Sequence, residues 1–192
     1  SISNNIFSQA VDSCFYIPKK EHFNCSNSKN QVKKIKCNEI IMIGELHGIQ
    51  QIPQYLSVLL KDLSKKDSIV FAIELPNSLI KNFNDNRDIE KLKKDLFTKN
   101  NTDGKLNAAW FKMLYSLKDN KKVIIKGIDI LNYRLNRDSL MAENLNNLSL
   151  NHPTKKIISL TGNIHNGWNN KFEYKSMAMY LNQILSEKKL PI

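Results

Sequence analysis

Two short segments of this chain share one arrangement: a glycine, a polar residue, an aliphatic residue and a histidine. They are Gly44-Glu45-Leu46-His47 and Gly162-Asn163-Ile164-His165. The chain has only four histidines, and these segments hold two of them. A neutral imidazole can take a proton from water near neutral pH, and a carboxylate beside it can orient the ring and stabilise the imidazolium. Glu45 stands two positions before His47, so in extended chain both face the same side. The leading glycine is expected to let the backbone turn sharply at that point. Glu74 follows Phe71-Ala72-Ile73. Its carboxylate therefore leaves an apolar run and needs a partner. Asp129 ends another apolar run and is a candidate for substrate binding or for capping the next helix. Glu45, His47, Glu74 and His165 are also ordinary ligand types for zinc or manganese, so a metal site stays open beside water activation.

Arginine is scarce: Arg87, Arg134 and Arg137 are the only ones among 29 basic residues. Arg134 and Arg137 lie three apart, where a helix puts them on one face. Arg137 also precedes Leu140 and Met141 by three and four positions. It continues their apolar face by one turn, which predicts that Arg137 points inward, to the glutamates or to a substrate anion. Arg134 lies one turn further out, with Asn163 as another candidate for contacting substrate.

The elements that must position these residues follow from periodicity. Glu39–Gly44, Ser68–Leu75, Lys122–Asp129 and Lys156–Gly162 are short, rich in β-branched residues and without polar alternation. Strands buried on both faces read this way. Helical spacing of apolar residues recurs over about 50–65, around Leu92 and Leu96, from Leu106 to Leu117, from Leu140 to Leu148 and from Met177 to Leu185. Alternating strands and helices imply an α/β fold: a mainly parallel β-sheet flanked by helices on both faces, in three layers. Ligands of such sheets bind beyond the carboxyl ends of the strands, where all the residues above fall. Residues 1–37 read as an irregular N-terminal arm with one short helix around Ile6–Ser13, and 38–192 as a single α/β domain. The polar stretch Asn82–Asn101 reads as an excursion from it, with a turn expected at Asp103-Gly104.

Composition narrows the function classes. The net charge is +11, but the basic residues are scattered lysines. Base readout and bidentate phosphate clamping favour arginine, so a nucleic-acid partner is not expected and a small-molecule or peptide substrate is. No apolar run approaches the roughly 20 residues of a membrane-spanning helix. Cys14, Cys25 and Cys37 cluster in the polar arm without zinc-ligand spacing. One disulfide among them is expected, and with it an oxidising compartment, periplasmic or secreted.

Gly44-Glu45-Leu46-His47-Gly48, the strand end Glu74-Leu75-Pro76, the run Arg137-Asp138-Ser139-Leu140-Met141-Ala142-Glu143-Asn144 and Leu160-Thr161-Gly162-Asn163-Ile164-His165 occur in that order. Together they resemble the superfamily of erythromycin esterases, ChaN-like haem-binding lipoproteins and TIKI/TraB proteases, and most of all small bacterial ChaN-like proteins. The likeness runs from about Glu39 to Leu185. It implies a pocket built from the Glu-x-His turn, Glu74, Arg137 and His165. It also implies one of two activities: water activation for ester or amide hydrolysis, possible with a metal, or non-catalytic binding of haem or a divalent metal. Trp168, Phe172 and Tyr174 would line the apolar surface that haem needs. The chain lacks the large helical insertions of the esterases.

Overall fold

The computed structural model describes residues 15–16, 40–86, 88–97, 107–130, 136–167 and 175–187. Four parallel strands form the centre: β2 (Ile40–Glu45), β3 (Ile69–Pro76), β4 (Val123–Asp129) and β5 (Lys156–Gly162). A two-residue strand, β1 (Phe15–Tyr16), pairs antiparallel with β2, and the sheet order is β1-β2-β5-β3-β4. The helices are α1 (Gln51–Ser64), α2 (Asn77–Asn86), α3 (Ile89–Phe97), α4 (Ala108–Leu117), α5 (Arg137–Asn151) and α6 (Met177–Glu187).

The expected strand runs match these strands to within a residue or two. Almost every strand residue is buried because apolar side chains alternate between two covered faces. Ile41, Ile43, Phe71, Ile73, Ile158 and Leu160 face α1 to α4. Ile40, Met42, Val70, Ala72 and Ile157 face α5 and α6. The fold is therefore three layers, helices on both sides of a mainly parallel sheet.

Connections explain the layering. The chain moves one way across the sheet from β2 to β3 and on to β4, with its helices on the first face. It returns from β4 to β5 through α5 on the second face. A single hand for every crossover requires this reversal. Connections thus leave β5 and its neighbours β2 and β3 toward opposite faces, which opens a crevice at their carboxyl ends.

One expectation needs correcting. Asn82–Asn101 is not simply a polar excursion: α2 and α3 run through most of it. Leu79, Ile80, Phe83, Ile89 and Leu92 are buried in the first-face core. Their polar neighbours face solvent, and the low overall hydropathy hid the narrow apolar stripe. The short helix expected around Ile6–Ser13, the turn at Asp103-Gly104, the three cysteines, Arg134, and Trp168, Phe172 and Tyr174 lie outside the described residues. Among the described residues, no helix is long and apolar enough to cross a membrane.

A register shift between β3 and β4 falls between Ile73 and Pro76, around Glu74. It works because Gly127 has no side chain. A Cβ there would lie 2.4 Å from the Leu75 carbonyl oxygen and 2.7 Å from the Asn77 nitrogen. The close backbone approach sets the end of β3 beside Asp129.

Candidate functional site

The turn after β2 carries the first group. Glu45, the last residue of β2, points to the first face and is 3% exposed. Both of its carboxylate oxygens accept from the Trp110 indole Nε1, at 3.0 and 2.9 Å. Trp110 is fixed by the first turn of α4, where the Asn107 side chain accepts from the backbone nitrogens of Ala109 and Trp110. Glu45 Oε1 also lies 3.2 Å from His47 Nδ1. With Nδ1–H donating to Glu45, the opposite nitrogen of His47 carries the lone pair. Among the described residues, His47 Nε2 has no hydrogen-bond partner. It sits over Gly162, 3.1 Å from where a Cβ on that residue would be, with Glu74 Oε2 3.5 Å from the same point. The His47 side chain remains 26% exposed.

The second group is buried between β3, β4, α5 and the 3-10 turn Asn163–Asn166 after β5. Glu74 accepts from Gly162 N at 2.5 Å through Oε2 and from Arg137 Nη2 at 2.5 Å through Oε1. Arg137, the first residue of α5, also donates from Nε and Nη2 to the two oxygens of Asp129, at 2.8 and 2.7 Å. This is the two-pronged geometry for which a guanidinium is suited and an ammonium is not. Burial opposes the Arg137 charge, but Asp129 and Glu74 more than offset it and push its pKa up. His165 closes the group. Its Nδ1 lies 2.8 Å from Asp138 Oδ1, and its Nε2 lies 3.4 Å from Glu74 Oε1 and 3.3 Å from Arg137 Nη1.

The protonation of His165 follows from the charge balance. Burial pushes its pKa down, but hydrogen bonds to Asp138 and Glu74, and the charges of both, overcome this and raise it to about 9. Three carboxylates, Glu74, Asp129 and Asp138, face one guanidinium, so the imidazolium supplies a second positive charge. The close approach of Arg137 Nη1 to Nε2 would suit a neutral ring, but the excess of carboxylates decides for the charged one. His165 is therefore a buried cation at neutral pH, while His47 is the partly exposed ring with an open nitrogen.

The structure thus brings Glu45, His47, Glu74, Arg137 and His165 to one crevice, with Gly162 joining the two groups. It also revises details. Gly44 and Gly162 lie within β2 and β5, and the positive-φ glycine is Gly48, at 89°. Only the first segment keeps its polar residue beside its histidine. The second winds into a 3-10 turn, which sends Asn163 toward Gly44 and His165 to Asp138. Asp129 does not cap α5, whose cap is Asn136; it accepts from Arg137 and from Ile130 N. Arg137 meets Glu74 and not Glu45. Two residues escaped sequence reasoning. Neither Trp110 nor Asp138 stood among the candidate site residues. Asp138 is 8% exposed, and its second oxygen accepts from Met177 N at the start of α6.

The donor set can be tested against a metal ion. Arg137 already occupies the cation position between Glu74 and Asp129, and His165 has both ring nitrogens engaged. Among the described residues, no group of three or more His, Cys, Asp or Glu side chains is arranged to hold a metal. The second group is thus an ion cluster whose carboxylates are already engaged by Arg137 and His165, and it does not fit a metal. Fold and site together define a doubly wound parallel α/β protein with a hydrogen-bonded Trp–Glu–His set beside a buried ion cluster. No protein-family model, no curated protein and no solved structure matches the chain.

Proposed function

We propose that this protein is a hydrolase that activates water with His47, within the esterase, ChaN-like and TIKI/TraB superfamily its motifs resemble. The observation that carries this reading is the open Nε2 of His47, whose Nδ1 is held by the Glu45 carboxylate. Glu45 holds the ring in the tautomer that leaves Nε2 basic, and Trp110 holds Glu45. Nε2 takes a proton from water as the water attacks an ester or amide carbonyl. Glu45 then stabilises the imidazolium that forms, and the ring returns the proton to the leaving group. Arg137 and His165 neutralise Glu74, and Asp129 and Asp138 hold those two cations in turn.

Hydrolysis of p-nitrophenyl acetate and of a set of amides, in buffer containing a chelator, tests the proposal. His47→Ala should lower turnover by about 100-fold or more, the usual scale for a positioned base. Full activity in that variant ends the reading. The open His47 nitrogen also supports a rival, in which it ligates haem iron. A hemin absorbance titration that gives a saturable shift lost in His47→Ala, without any hydrolysis, would decide for the rival.

A further inference from the structure

We infer that the ligand arm next to His47 is neutral and apolar, an alkyl or acyl chain rather than an anion. The inference specifies the substrate class of the proposed hydrolytic site and rests on that reading for its catalytic meaning. Six large apolar residues are well exposed among the described residues. Single exposed apolar residues are ordinary, but clustered ones mark binding surfaces. Leu46 and Ile49, 61% and 37% exposed, flank His47 itself, and Ile164, 54% exposed, directly precedes His165. The other three, Val58, Tyr115 and Leu150, are on three different helices.

The placement of the first two is built. Ile49 N donates to the Leu46 carbonyl at 3.1 Å, which closes a four-residue turn with His47 and Gly48 at its corners. Gly48 supplies the positive φ that this turn needs. Leu46 and Ile49 therefore stand at the two ends of the turn that presents the imidazole. Ile164 lies on the adjoining turn, because β2 and β5 are paired up to Glu45 and Gly162 and Asn163 packs against Gly44.

Charge points the same way. The chain carries +11, yet the exposed residues of these turns are Leu46, Gly48, Ile49, Gln50, Ile164 and Gly167, none of them charged. Arg137 is held by Glu74 and Asp129 and faces His165. Among the described residues of these turns, an anionic substrate group would thus find no exposed cation, and would meet the Glu45 carboxylate behind His47. A neutral alkyl chain meets three exposed aliphatic side chains.

Binding of octanamide, acetamide and octanoate to the full chain, followed through the His47 ring signals by NMR, tests this without requiring turnover. Octanamide should bind at least about tenfold tighter than acetamide, since each buried methylene favours binding. It should also bind tighter than octanoate. The double variant Leu46→Ser, Ile164→Ser should lose the preference for the long chain while its His47 signals keep their positions. Equal binding of octanamide and acetamide overturns the inference, as does preference for octanoate. So does sedimentation showing that the native chain is a dimer and the double variant a monomer, which would make the patch a self-interface. Octanamide selectivity without ester hydrolysis would instead leave the inference standing and remove the hydrolase.

Discussion

The two histidine segments begin alike and end in opposite physical states. His47 stands on a surface turn, touches one carboxylate and keeps an open nitrogen. His165 is enclosed by Asp138, Glu74 and Arg137 and carries a proton at neutral pH. The difference does not come from the local pattern of glycine, polar, aliphatic, histidine. It comes from what lies opposite. α4 brings Trp110 to compete for Glu45, whereas α5 brings Arg137 and Asp138 to His165. One motif thus gives a partly exposed ring with an open nitrogen on one strand end and a buried, ion-paired ring on the next.

The comparison is broken most severely at Arg137. Arg137→Ala leaves Glu74 and Asp129 buried without their shared cation, and removing one partner of a buried pair typically costs about 3–5 kcal/mol. Urea denaturation should register that loss. A loss near that of a surface substitution would show that the cluster is solvated and the contrast false.

The next effect is on alkaline stability. The folded-state pKa of His165, about 9, lies above its ordinary 6.5, so its protonation stabilises the fold. That contribution is complete below about pH 6.5 and is lost as pH rises through about 9. Unfolding free energies from pH 6 to 10 should fall across this window, and Asp138→Asn should move the fall to lower pH. A flat profile would mean that His165 is neutral.

Trp110→Phe sharpens the other half. It keeps the aromatic volume and removes the indole donor from a buried carboxylate, a loss of about 1–3 kcal/mol. NMR spectra of the variant should also show shifted His47 ring signals while those of His165 stay in place. Coupled changes in both rings would make the two groups one network.

The smallest effect on the fold belongs to His47→Ala. His47 has one hydrogen bond and a quarter of its side chain exposed. Its removal should change stability by about 0.5 kcal/mol or less, against the large fall in turnover expected above. Comparable losses of stability at His47 and Arg137 would erase the distinction between a reactive and a structural group.

The sequence alone determined the sheet strands, most of the helices and the placing of Glu45, His47, Glu74, Asp129 and His165 at the carboxyl ends. It could do so because buried strands and amphipathic helices leave local periodicities, and because a parallel sheet gathers its strand ends on one side. The inward turn of Arg137 was also legible, from its phase relative to Leu140 and Met141. What only the tertiary structure decided was which groups meet. Trp110 reaches Glu45 across 65 residues, Glu74 reaches Gly162 across 88, and Asp138 reaches His165 across 27. No local period encodes those separations. Contacts follow packing, so the sequence presented two equivalent histidines, and only α4 and α5 on opposite faces of the sheet left one ring with an open nitrogen and enclosed the other among Asp138, Glu74 and Arg137.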